Sequence, residues 1–176
     1  MIKVKDILLP EDPFVQKKIN EFINQPYSFE DFIDVDILRD EEISLVCYNK
    51  TLGDIKRNWV PAYHFSIYLN DLPIGKIDLR IGYNEGLFYG GNIGYSIDEK
   101  YRGNGYAPRA CKLISSVARA HNMKSINISN EYSNFSSFRV CEKINAKYLL
   151  TVKLPKDNDM RLDGNENENI FIWEID

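Results

Sequence analysis

Two glycines one residue apart, in Tyr101-Arg102-Gly103-Asn104-Gly105-Tyr106-Ala107, stand between a segment of strand character, residues 92–97, and an amphipathic helical segment, residues 106–121. No other stretch constrains the chain as much. Without a Cβ, Gly103 and Gly105 can take left-handed dihedrals and let backbone N–H groups approach a ligand closely. The helix that follows offers unpaired N–H groups and the positive end of its dipole, which suit phosphate oxygens. Pro108 fits the first helical turn, where its missing N–H is not needed. From these residues alone, an anion site and a simple turn joining strand to helix stand side by side. The loop G-x-x-x-x-G-K followed by Ser or Thr is absent, which disfavours a nucleoside triphosphate site of that type. The dinucleotide pattern G-x-G-x-x-G is also absent, because Pro108 stands three residues after Gly105.

The spacing that fits is Arg102-x-x-Gly105-x-Ala107, which resembles the coenzyme A loop (Arg or Gln, two residues, Gly, one residue, Gly or Ala) of the GNAT superfamily of acyl-CoA N-acyltransferases. Upstream, Gly90-Gly91-Asn92-Ile93-Gly94-Tyr95-Ser96-Ile97 resembles that family's fourth strand. Downstream, Asn134-x-x-Ser137-x-Arg139-Val140-x-Glu142-Lys143-x-Asn145-Ala146 resembles its N-x-x-S-x-R-V-x-E-K-x-G-A motif. The three motifs come in the family's order. The longer pattern of Val60-Pro61, Arg80 to Leu87 and Gly90 to Tyr95 is similar to a bacterial subgroup known only as predicted acetyltransferases. Two departures stand out: Asn92 where that subgroup has histidine, and Asn145 where glycine usually ends the second helix. Asparagine tolerates the left-handed conformation, so the helix stop is expected to survive. The match runs from about Val60 to Val152 and is thinnest in the N-terminal third.

The resemblance implies an α/β (α+β) fold: a mixed, mostly antiparallel sheet of about six to seven strands flanked by helices, with a splayed central strand pair, in a single domain over residues 1–176. Composition agrees, since 176 residues at 44% hydrophobic content can bury a sizeable core and are few for two ordinary domains. There is no run of about 18 apolar residues, and Met1-Ile2-Lys3-Val4-Lys5 is not a charged-then-apolar leader, so neither a membrane span nor a secretory signal is expected. Cys47, Cys111 and Cys141 form no C-x-x-C pair, which points to reduced thiols in a cytoplasm, the last two as core fillers. A formal charge of −4 and a pI near 5.3 argue against broad nucleic-acid binding and favour cationic substrates.

Periodicity predicts an extended start over residues 2–9, helices over 12–24 and 29–48, and a loop over 51–58. Strands over 61–69 and 74–81 make a hairpin about Asn70-Asp71, and a loop over 82–90 leads to the strand at 92–97. Then follow the helix from Tyr106, a strand over 125–130, a helix over 134–144 with Asn134 as N-cap, a strand over 147–154, a polar loop over 156–169 and a last strand over 170–175.

In the fold this resembles, the strands at 92–97 and 125–130 part at their C-terminal ends and admit the pantetheine arm of acetyl-CoA. Backbone groups of Tyr95, Ser96 and Ile97 would bond its amides. Gly103, Asn104, Gly105, Tyr106, Ala107 and Pro108 would hold the pyrophosphate, with Arg102 either meeting a phosphate or capping the loop. Asn134 and Ser137 match the family's pantetheine-side motif, although Asn134 reads equally as a helix cap. The implied reaction is direct attack of a primary amine on the thioester, its oxygen polarised by a backbone N–H near Ile97, with no metal. A lysine-like amine of pKa about 10.4 pays about 4.6 kcal/mol to lose its proton at pH 7, against about 1 kcal/mol for an α-amino group near 7.7 to 8.0. Candidate bases are Glu85, favoured because its loop should overhang the acceptor, then Glu131 and His64; His121 is expected to serve the helix dipole. Where many members carry a tyrosine acid this chain has Cys141, with Tyr95, Tyr132 or water as alternatives. The acceptor, a small molecule or a peptide, is not legible. Dimerisation is common among relatives, but the sequence identifies no interface. Two other classes stay open: an acyl-CoA sensor or scaffold without turnover, and a module that binds another phosphate ligand such as a nucleotide.

Overall fold

The hairpin expected over residues 61–81 forms as β4 (Ala62–Leu69) and β5 (Leu72–Arg80) in the computed structural model of the chain, which describes residues 6–175. Tyr63, Phe65, Ile67, Ile77 and Leu79 are buried, while His64, Ser66 and Asp78 on the other face stay half-buried. This period-two pattern makes a sheet with one packed and one solvated side. β3 (Ile43–Thr51) pairs with β4, and β2 (Ile37–Arg39) pairs with β3. These two strands replace the helix expected over residues 29–48. The Asp40 carboxylate accepts from the N–H groups of Glu42 and Ile43, both at 2.8 Å, and so closes a tight hairpin turn. Ile43 and Leu45 then bury alternately, which a helix would not do.

On the other side of β5 lies β6 (Ile93–Ile97), completing an antiparallel sheet of order β2-β3-β4-β5-β6. Helix α3 (Tyr106–Ala120) packs on this sheet through Ala110, Cys111, Ile114, Val117 and Ala118. These elements belong to one compact unit, residues 26–82, 92–126 and 175. Arg109 in α3 bonds Asp40 at 2.8 Å, Glu41 at 3.1 Å and Glu42 at 3.0 Å, which ties the β2–β3 turn to the helix.

The second unit comprises residues 6–25, 83–91 and 127–174. Its sheet has order β1-β8-β9-β7, from β1 (Ile7–Leu8), β7 (Ser125–Glu131), β8 (Lys147–Lys153) and β9 (Asn167–Glu174). β1 runs parallel to β8, and β9 antiparallel to it. Helix α4 (Phe135–Lys143) packs Phe138 edge-on against Phe171 of β9 at 4.9 Å. α1 (Pro13–Ile23) packs Phe22 against Phe88 of α2 (Glu85–Gly90), an unexpected helix inside the segment read as a loop. Asn84 starts it by accepting from the Leu87 N–H at 2.8 Å, and Leu87, Phe88 and Tyr89 are buried. The polar loop expected over 156–169 likewise contains α5 (Asp159–Leu162) and the first residues of β9.

The single sheet of six to seven strands is therefore two sheets, of four and five strands. β6 and β7, the expected splayed pair, are each an edge strand, one in each sheet. Residues 2–5 of the expected extended start, and the N-terminal segment read for a leader, lie outside the described residues. No helix among the described residues is long and apolar enough to cross a membrane.

Gly75 of β5 faces Ile97 of β6, and a Cβ there would lie 2.2 Å from the Ser96 carbonyl oxygen. Gly75→Ala is therefore expected to push β6 off β5 and cost about 1–3 kcal/mol, read by chemical denaturation. Unchanged stability would mean that β6 yields freely at this point.

Candidate functional site

The register of β5 and β6 decides which backbone groups of β6 are offered to a ligand. Arg80 N–H donates to Asn92 O and Asp98 N–H to Ile74 O, both at 2.8 Å. With Asp78 opposite Gly94 and Lys76 opposite Ser96, the hydrogen-bonded pairs fall on residues 92, 94, 96 and 98. The main-chain groups of Ile93, Tyr95 and Ile97 therefore point away from β5. Of the three residues expected to bond a coenzyme arm, Tyr95 and Ile97 thus turn their main chain away from β5, and Ser96 turns its main chain to β5.

Beyond Ile97 a single 3-10 turn, Glu99–Tyr101, leads to the glycine loop. Arg102 Nε donates to the Ile97 carbonyl at 2.8 Å, and Asn104 Nδ2 donates to the carbonyls of Tyr101 at 3.0 Å and Arg102 at 3.2 Å. The loop is thus fastened to the end of its own strand, and Arg102 does the capping that the sequence left open. Gly103 and Gly105 both have φ of 80°. Gly105 is the N-cap of α3, and no side chain accepts a hydrogen bond there. A Cβ on either glycine would meet nothing within 4 Å, so these positions need glycine for their dihedrals and not for lack of room. Tyr106, Ala107 and Pro108 open the helix, with Ala107 and Pro108 buried. Open glycine backbone before an uncapped helix start is a fit for phosphate oxygens.

Asn134, Ser137, Cys141, Glu85 and Glu131 lie in the second unit. Asn134 caps α4 by accepting from the Ser137 N–H at 3.1 Å, so its helix-cap reading is realised. Cys141 is fully buried, receives a hydrogen bond from Asn130 Nδ2 at 3.6 Å, and burial pushes its thiol up to about 12. It is poorly suited to give a proton to a thiolate. It ends a polar chain through Asn130, Asn169, Thr151 and Tyr148, with links of 3.1, 2.7 and 2.8 Å, that satisfies groups inside the sheet. Glu85 is exposed in the first turn of α2, and Glu131 is exposed at the end of β7, where Ser133 Oγ donates to it at 3.0 Å.

Glu168 on β9 is a further carboxylate, with no motif in the sequence to mark it. It is 2% exposed, and its carboxyl is pushed up to about 7, first by burial and then by the charge of Glu131, against a hydrogen bond from the half-buried Ser129. The strand begins at Asn167, inside the polar run of residues 165–169, where no alternation of polar and apolar residues marks it. Tyr89 in α2 buries a hydroxyl without a hydrogen-bond partner, and burial raises it to about 12.

His64 sits between Asp78 and Thr51, at 2.8 Å and 2.9 Å. His121, expected to serve the helix dipole as a cation, is 3% exposed and its pKa is lowered by burial. It instead joins the Tyr63 hydroxyl at 2.7 Å, while that hydroxyl accepts from the Ile33 N–H at 2.8 Å. Among the described residues no group of three or more His, Cys, Asp or Glu is placed to hold a metal ion.

A profile described as acetyltransferase (GNAT) domain matches residues 19–147. No curated protein matches the sequence. Among solved structures, the Salmonella typhimurium acetyltransferase that modifies the N-terminal serine of 50S ribosomal subunit protein L7/L12 aligns with 14% identity and a TM-score of 0.59, over 80% of this chain and 100% of that one. The ribosomal L7/L12 alpha-N-protein acetyltransferase RimL, in complex with coenzyme A, gives 14% identity and 0.58 over 80% and 99%. The microcin C7 self-immunity acetyltransferase MccE, in complex with acetyl-CoA and AMP, gives 12% identity and 0.56 over 77% and 94%. At these identities the likeness is one of fold.

Gly105→Val puts a β-branched residue at φ 80° beside the helix start. The expected result is at least a tenfold loss of acetyl-CoA affinity by calorimetry (about 1.4 kcal/mol or more) with the circular dichroism unchanged. Full affinity in this variant would remove the loop from the site.

Proposed function

The chain belongs to the acetyltransferase (GNAT) domain family, and on that premise we propose that it is an enzyme moving an acetyl group from acetyl-CoA to a primary amine, with residues 1–176 as one catalytic domain in a reducing cytoplasm. The observation that carries this reading is the loop of Gly103 and Gly105, both left-handed and open, at the uncapped start of α3. Its N–H groups would hold the pyrophosphate, and the outward main chain of Tyr95 and Ile97 would bond the pantetheine amides. The coenzyme supplies an activated thioester. The protein's part is to orient it, polarise its carbonyl from a β6 N–H, and accept the proton of the amine.

We assign that proton to Glu168. A base works best with a pKa near the working pH, and burial beside Glu131 raises this carboxyl to about 7. The half-buried Ser129 donates its hydroxyl to the Glu168 carboxylate, and on this reading it would relay the proton from the amine. Glu131 acts through its charge on Glu168, and Glu85 serves the N-terminus of α2. Protonation of the departing thiolate falls to Tyr95, Tyr132 or water, since the Cys141 thiol is buried and raised to about 12.

The acceptor proposed is the α-amino group of a peptide. Two of the structural relatives are named for N-terminal acetylation of a ribosomal protein, and such an amine needs only about 1 kcal/mol to be neutral at pH 7. The test is acetyl transfer to peptides with free α-amino groups, against polyamines and free amino acids, across pH 5.5–9. The wild type should show an acid limb near pH 7 as Glu168 ionises. Glu131→Gln should keep the maximal rate within about threefold and move that limb to lower pH, because a neighbouring negative charge has gone. Glu168→Gln should lose about 100-fold or more. A full rate in Glu168→Gln would return the base to Glu85, Glu131 or water, and coenzyme binding without transfer to any amine would leave an acyl-CoA-binding module.

A further inference from the structure

The solvated face of the five-stranded sheet carries a constellation to which the function proposed above gives no part. In the register, His64 of β4 lies opposite both Asn49 of β3 and Asp78 of β5. Thr51 is two residues beyond Asn49, so its side chain emerges on the same face, diagonal to His64. His64 Nδ1 is 2.8 Å from Asp78 Oδ1, and Nε2 is 2.9 Å from Thr51 Oγ1. An ionised carboxylate has no proton to give, so Nδ1 carries the hydrogen and donates it to Asp78. In the neutral ring Nε2 is then the acceptor, and the Thr51 hydroxyl donates to it. Carboxylate, imidazole and hydroxyl in this order, each within hydrogen-bond reach, are the arrangement that activates a hydroxyl for acyl transfer.

Access and surroundings agree with that chemistry. Thr51 is exposed at the end of β3, and the side chains of His64 and Asp78 are 22% and 33% accessible, so an ester can reach the hydroxyl from solvent. The ring of Tyr48 lies 6.2 Å from the imidazole. The next residue, Leu52, is 76% exposed, and Trp59, which closes the following loop by a bridge to Asp54, is 56% exposed. Tyr48 offers apolar surface beside the imidazole, and Leu52 and Trp59 are exposed apolar residues close to Thr51 in the chain.

We propose that Thr51 is an acyl-accepting nucleophile, with His64 as its base and Asp78 holding the imidazole tautomer, for small acetyl esters with an apolar leaving group. Thr51 Oγ1 bonds to the carbonyl carbon as its proton moves to His64 Nε2. The bond from that carbon to the ester oxygen breaks, and Nε2 gives the proton to the departing oxygen. The products are acetyl-Thr51 and a free alcohol or phenol, and no group is oxidised or reduced. The reaction needs no coenzyme, so it stands or falls apart from the amine-transfer reading.

The experiment mixes the full chain with para-nitrophenyl acetate, follows nitrophenol release, and maps acetylation by peptide mass spectrometry after acid quenching. The expected result is a stoichiometric burst with one acetyl group on Thr51, absent in Thr51→Val and slowed about 100-fold or more in His64→Gln and Asp78→Asn. Thr51 is exposed and valine has its shape, so the first variant folds as the wild type does. No acetyl on Thr51, or an equal rate of its acetylation in His64→Gln, would overturn the proposal.

Discussion

Main-chain pairing between β5 and β6 is the constraint on which the site depends. It fixes by parity that Tyr95 and Ile97, and not Ser96, turn their backbone groups away from β5. Side chains at both ends of β6 hold that register. Before it, Asn92, with no exposed surface, donates to the carbonyls of Arg80 at 3.0 Å and Gly82 at 2.9 Å and shapes the turn out of β5. After it, Arg102 returns to Ile97 and anchors the glycine loop. Asparagine at position 92, a departure from the related subgroup, thus has a structural role: its amide nitrogen supplies donors to two backbone carbonyls. A slip of one residue would exchange the groups that point away from β5 for those that face it.

The same economy explains why the second sheet tolerates so much buried polarity. Thr151, Asn169, Asn130 and Cys141 bond one another in series, so few of their groups are left unsatisfied. Glu168 is different in kind. It has Ser129 as a donor but no cation, and Glu131 adds like charge, so burial holds its proton to about pH 7. A carboxyl kept in that state works against stability whenever it ionises, which is the cost that the proposed role as a base would carry.

The glycine loop was readable from sequence because its signal is local: two residues without Cβ, between strand and helix, leave few conformations open. The hairpin of β4 and β5 was readable for the same reason, through strict alternation. The segment 29–48 was misread because its strands depend on a turn made by the Asp40 side chain and on burial against α3, neither of which is a periodic property. Glu168 was hidden by its company, since Asn165, Glu166, Asn167 and Asn169 make a polar run in which burial does not announce itself. Thr51, His64 and Asp78 are separated by 13 and 14 residues, and only the register brings them together. What the sequence carried well was backbone conformation; what it carried poorly was the environment of single side chains, which is where a base or a nucleophile is made.

The central claim is that the open backbone of the glycine loop and the start of α3 form a coenzyme site. Isothermal calorimetry with acetyl-CoA, with coenzyme A and ATP as comparators, tests it most directly. The account predicts micromolar binding of acetyl-CoA and of coenzyme A at one site per chain, and no comparable heat with ATP. Absence of binding by both coenzyme forms, or equal binding of ATP, would contradict it and leave the loop as a structural turn or a site for another phosphate ligand.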